Sequence, residues 1–103
     1  MSNVNSVFSA LADESRRKIL VMLSKDRMHV NEIAGNFNIS RPAISKHLRI
    51  LEHSKLVKQV KEGRERYFSL NPKPIKVVFD WLKFYDTFWD NKLNALKSFI
   101  EIK

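Results

Sequence analysis

The chain has no cysteine, and only two glycines and three prolines among its 103 residues. Without cysteine there is no disulfide framework, no thiolate metal site and no thiol nucleophile. So little glycine and proline argues against a collagen-like, disordered or turn-dense all-β chain, and favours helices. No apolar run approaches the length of a bilayer-spanning helix. The first ten residues, MSNVNSVFSA, lack the basic stretch and long apolar run of a signal peptide. No membrane partner is expected, and a cytoplasmic location is. There is also no glycine-rich phosphate loop and no Ser/His/Asp grouping beyond chance. Ser45 and His47, two apart on a helix, face different directions. Neither enzymatic activity nor a cofactor is expected.

What the chain does have is positive charge. Lys and Arg number 19 against 11 Asp and Glu, for a formal net charge of +8. A basic domain of this size has polyanions as its natural partners. The excess is uneven. Residues 40–70 carry eight basic and three acidic side chains, whereas residues 1–39 carry five and four. Function should therefore be sought in the middle third of a single domain spanning residues 1–103.

Apolar spacing predicts the elements. Val4, Val7, Phe8 and Leu11 mark one face of a first helix. Asp13 reads as the N-cap of a second, with Ile19, Met22 and Leu23 inward. Val30, Ile33, Ala34 and Phe37 repeat the pattern over a third helix of about two turns. Asn38-Ile39 breaks it, Ser40 can cap a fourth helix, and Pro42 falls in the first turn, where its missing N–H costs nothing. That helix runs to about His53, with Ala43, Ile44, Leu48 and Leu51 as its apolar positions. Two helices over about 30–53 joined by a short turn make a helix-turn-helix. Residues 56–70, LVKQVK, EGRE and RYFSL, then read as two strands around a glycine turn. From Pro74 to about Ile100 the pattern predicts one long helix. Ile75, Val78, Leu82, Tyr85, Trp89, Leu93, Leu96 and Ile100 form one stripe, and Trp81, Phe84, Phe88, Ala95 and Phe99 a second beside it. Lys76, Asp80, Lys83, Thr87, Asn94 and Glu101 line the other side.

On the fourth helix Arg41, Ser45, Lys46, Arg49 and His53 project away from Ile44, Leu48 and Leu51. An apolar back with such a front fits the major groove of double-stranded DNA, where Arg and Lys donate to guanine O6 and N7. The hairpin adds Lys61, Arg64 and Arg66 for phosphates or the adjacent minor groove. Any one of these cations is ordinarily a solvated charge. The capped turn, two-faced helix and basic hairpin in succession carry the DNA-binding reading. The alternative is a winged-helix module that binds RNA or protein without reading DNA sequence. Seven of the eleven aromatics, Phe79 to Phe99, fall on the last predicted helix. Its apolar arc is too broad for one small core, so a homodimer through the first and last helices is expected. Val4, Val7, Phe8, Trp81, Phe84, Tyr85, Phe88 and Trp89 are the candidate contacts.

The runs ALADESRRKIL, VNEIAGNFNISRPAISKHLRILEHSKLV and KEGRERYFSLN resemble the ArsR/SmtB family of winged-helix repressors over nearly the whole chain. The resemblance implies a mainly α fold with a small β-hairpin wing, dimerisation through the first and last helices, and a palindromic operator. Arg41, Pro42, Ser45 and Lys46 match its base-facing positions, with Ser40 opening the same helix, and Arg64 matches the wing arginine. One departure stands out. Where metal-sensing members carry a Cys-x-Cys pair, this chain has His29 and Asn31, and Asn31 is a poor transition-metal ligand. The last helix offers only Asp80, Asp86 and Asp90, and no histidine follows His53. No metal site is expected. The signal is then a small-molecule or protein inducer, or simple control of the repressor's own level. His29 reads as a surface residue, His47 as a hydrogen-bonded packing residue, and His53 as a cation suited to a helix C-terminus.

Overall fold

The computed structural model describes residues 3–102, without the side chains of Asn3, Leu93, Lys97 and residues 99–102. The Leu93, Phe99, Ile100 and Glu101 positions of the sequence pattern thus lie outside the described side chains. Six helices and three strands follow in order: α1 Asn3–Leu11, α2 Glu14–Leu23, β1 Met28–His29, α3 Val30–Ala34, α4 Arg41–His53, β2 Val57–Glu62, β3 Glu65–Leu70, α5 Lys73–Lys83 and α6 Asp86–Ile102.

The helices start where their caps stand. Asp13 sits in extended backbone, and its Oδ2 accepts the Arg16 N–H at 3.1 Å. Ser40 does the same for α4, its Oγ accepting the Ala43 N–H at 3.2 Å. Each such cap satisfies a donor that the first helical turn leaves orphaned. The far end of α4 closes as a Schellman turn. The Leu56 N–H bonds the Leu51 carbonyl and the Lys55 N–H bonds the Glu52 carbonyl, both at 3.0 Å. Lys55 takes the left-handed position, φ 67°, that glycine usually fills.

The apolar faces meet in one core. Val7, Ile19, Leu20, Leu23, Ile33, Ile44, Leu48, Leu51, Leu56, Val57 and Phe68 are all buried there. Burial of each large side chain contributes roughly 1.5–3 kcal/mol, offset by chain entropy. Three of them, Ile44, Leu48 and Leu51, lie on α4, so its back is fixed while its front stays free. The two-residue loop Gly63-Arg64 joins β2 to β3. Gly63 takes φ 62°, as the first central position of a II′ hairpin turn requires.

Three expectations need correction. A third strand, β1, pairs antiparallel with β3, giving the sheet order β1-β3-β2. Two residues are too few for a period of two to reveal. Helix α3 ends at Ala34, and Phe37 packs on the core from the following turn. The expected long helix at 74–100 is two helices, which makes six helices where five were expected. At the break the Phe84 N–H reaches back to Trp81 and the Tyr85 N–H to Leu82, each only three residues. Such tight bonds wind a 3₁₀-like turn, and the run Phe84-Tyr85-Asp86-Thr87-Phe88 is made of weak helix formers.

Candidate nucleic-acid interface

A groove runs between the front of α4 and the hairpin. Val30, Leu48 and Phe68 line its apolar floor, and Arg41, Ser45 and Arg49 form the helix wall. Gln59 and Arg66 form the hairpin wall. The sequence-predicted residues Arg41, Ser45, Arg49 and Arg66 therefore converge. At the outer end Arg64 joins Arg41, Arg66 and His29. Lys46 and His53 are exposed on α4 but do not line the groove, and Ser40 and Pro42 are exposed at the helix start.

Strand register places the remaining cation. Gln59 faces Phe68 and Lys61 faces Arg66 across the hairpin. Alternation puts Gln59, Lys61, Arg66 and Phe68 on the face turned to α4. Lys61 and Arg66 are like charges directly opposite, a destabilising arrangement in isolation. Neither is paired with an acid among the described residues. A polyanion against this face relieves the repulsion. Of the carboxylates that line the groove, Glu52 is engaged by Gln59 Nε2, at 3.0 and 3.1 Å, and Glu65 stands at the outer end beside Arg64 and Arg66.

The other hairpin face carries a clamp that the sequence reading missed. Arg27 grips Glu62 with two hydrogen bonds, at 3.0 and 2.8 Å, and its guanidinium stands 4.1 Å from the Tyr67 ring centre. The hydrogen bonds from Arg27 hold the Glu62 carboxyl below its ordinary range, and Glu62 in turn raises Arg27. His29 also packs edge-on to Tyr67, with ring centres 5.8 Å apart. Its backbone N–H is held by Glu32 Oε1 at 3.0 Å, where it opens α3. His29 is thus a half-buried helix opener and not a free surface residue. Among the described residues no group of three or more His, Cys, Asp or Glu is arranged to hold a metal ion.

The candidate dimer contacts divide. Val7 is only 2% exposed and belongs to the chain's own core. Phe8 is half-buried, edge-on to Trp81 with ring centres 5.5 Å apart. Val4, Trp81, Tyr85, Phe88 and Trp89 are exposed, and Phe84 is 81% exposed. The radius of gyration is 18.0 Å, with extents of 63 × 33 × 21 Å. A compact chain of this length has about 13 Å.

Comparison with known proteins decides the family. Residues 13–59 match the family described as "Bacterial regulatory protein, arsR family". The chain is 38% identical over 90 residues to the transcriptional repressor SdpR of Bacillus subtilis, covering 87% of this chain and all of that protein. The chain belongs to the ArsR family. It is also 33% identical to the HTH-type transcriptional regulator Rv2034 of Mycobacterium tuberculosis, across 91% of this chain and 85% of that one. The solved structure of an ArsR-like transcriptional regulator from Rhodococcus sp. RHA1 superposes with a TM-score of 0.78 at 34% identity. It covers 98% of this chain and 93% of that one. Like its ArsR relatives, the chain is a winged helix-turn-helix, DNA-binding transcriptional regulator.

Proposed function

We propose that this ArsR-family chain is a cytoplasmic homodimeric repressor that reads a palindromic operator. Helix α4 lies in the major groove, with Arg41, Ser45, Lys46 and Arg49 toward base edges and Ser40 and Pro42 at its leading end. Lys61, Arg64 and Arg66 meet the flanking backbone or minor groove. The observation that carries this reading is the row Arg41, Arg49 and Arg66 along one groove, extended by Lys61, with the Glu52 carboxylate between the two walls held by Gln59. Repression is the role of the similar SdpR repressor and is carried over to this chain by that likeness.

The aromatic surface supports a second copy. Six large aromatics on α5, α6 and the turn between them, from Phe79 to Trp89, lie exposed along an elongated chain. A contiguous apolar face of that kind marks an interaction surface. Two-fold pairing of the first and last helices covers it and sets two copies of α4 against two half-sites. No enzymatic step enters this reading, and its signal is a small molecule, a partner protein or simple control of the repressor's own level.

The test is fluorescence anisotropy at near-physiological salt, using labelled duplex from upstream of the chain's own gene and a scrambled duplex of equal length. Binding tighter to the upstream duplex by about three orders of magnitude is the expected result. Equal weak binding that vanishes as salt rises overturns the operator reading. It turns attention to RNA or a protein partner.

A further inference from the structure

A cavity of about 190 Å³, sharing no lining residue with the α4 groove, opens between α1 and the start of α5. Its walls are Val4, Val7, Pro74 and Val77, and nearly all of its lining is apolar. Ser54, the one buried polar residue among those described, closes it with its hydroxyl turned to the Leu51 carbonyl at 2.9 Å. Two lysines, Lys55 and Lys73, complete the lining, and neither ammonium has a partner among the described residues. Lys73 opens α5, whose first turn carries no acidic side chain.

We propose that this cavity binds a small organic acid with a single carboxylate head and a short apolar tail. The two lysine ammoniums take the carboxylate through charge-assisted hydrogen bonds. The valine and proline walls take the tail. An apolar cavity of about 150 Å³ holds benzene, so a chain of roughly six carbons fits here. Lys55 carries a backbone strain that glycine would relieve, since it holds φ 67° at the end of α4. A lysine there supplies the cavity with a cation at a position where glycine is the relaxed choice. The cavity touches α1, the turn that leads from α4 into the hairpin, and α5. An occupant therefore bears on both the DNA-reading elements and the helices assigned to the second copy. The site does not depend on the operator reading, and its test needs no DNA.

The experiment follows the valine methyl groups of the full chain by NMR while hexanoate is added, with hexanol and acetate as comparators. Saturable shifts at Val4 and Val77 are expected, with hexanol and acetate each binding at least tenfold more weakly. The variant Lys55→Gly removes one cation and relaxes the backbone, so its spectrum stays folded while hexanoate affinity falls at least tenfold. Lys73→Gln, which leaves the walls intact, weakens it in the same direction. Equal affinity for hexanol, or unchanged affinity in a folded Lys55→Gly, overturns the proposal. So do hexanoate shifts confined to the Trp81–Trp89 face. Val4 and Val77 shifts that follow protein concentration and ignore hexanoate assign the cavity to a second copy, and likewise overturn it.

Discussion

Arg16 Nη1 stands 3.3 Å from His47 Nδ1, joining the first turn of α2 to the middle of the recognition helix α4. The same guanidinium donates to the Ala10 carbonyl through Nε at 2.8 Å and to the Ser9 carbonyl through Nη2 at 3.2 Å. Arginine only donates, so His47 Nδ1 accepts and the imidazole proton sits on Nε2. One side chain thus ties the end of α1 to α4. Arg16→Ala removes all three bonds and leaves part-buried acceptors open. It should lower stability by about 1–3 kcal/mol, measured by urea unfolding. His47→Gln, which keeps an acceptor, should lose less than His47→Leu.

Asp13 adds a pH dependence to the same corner. Its carboxylate caps α2 and lies 3.9 Å from His47 Nδ1. The Arg16 backbone N–H, helped by the Arg16 charge and opposed by desolvation, holds its pKa below the ordinary value of 3.8. A folded pKa below the unfolded one means the cap stabilises fully above about pH 4. That contribution is lost as pH falls through the lowered folded value. Asp13→Asn keeps the cap without the titration. The urea midpoints of the two proteins should therefore differ near neutral pH and converge as the solution is acidified. Asp13→Ala should cost about 1 kcal/mol at neutral pH.

The recognition helix was legible because its signals are local. Ser40 and Pro42 announce its start, and Ile44, Leu48 and Leu51 announce its buried back. The basic hairpin was legible through Gly63 between two apolar-polar runs. Periodicity reports which face of an element is buried, but not which distant residue meets it. Arg16 and His47 are 31 positions apart and Arg27 and Glu62 are 35 apart, so neither pairing had a sequence signature. Val7 had the spacing of the exposed Val4 yet faces the chain's own core, because α1 lies with only part of its apolar arc outward. The break at Phe84–Tyr85 escaped notice since the apolar stripe continues across it. Only the low helix propensity of that aromatic run hinted at it.

The Arg27–Glu62 clamp should govern the hairpin more than the whole fold. Both side chains are substantially exposed, 41% and 55%, and surface pairs contribute little to global stability. The bidentate geometry and the Tyr67 stack nevertheless fix the base of β1 to the hairpin near its tip. Glu62→Gln and Arg27→Ala should each leave the thermal midpoint nearly unchanged. Each should speed amide hydrogen exchange across residues 58–67, and the double variant should add little to either. Exchange that is unchanged in both single variants would show that the pair does not order the hairpin.

Arg41 and Lys61 should separate base reading from backbone attraction. Arg41 stands in the helix wall of the groove, where a bidentate contact to a base edge is within its chemistry, and Lys61 stands on the hairpin face beyond Arg66. Arg41→Ala should weaken operator binding by about 1–3 kcal/mol while changing scrambled-duplex binding far less. Lys61→Ala should weaken both alike and reduce the slope of log affinity against log salt by about 1, the signature of one lost phosphate contact. Anisotropy titrations of each variant on both duplexes at several salt concentrations decide between the two roles. If Arg41→Ala proves as indiscriminate as Lys61→Ala, Arg41 meets phosphate. Sequence reading then falls to Ser45, Lys46 and Arg49 on the same helix.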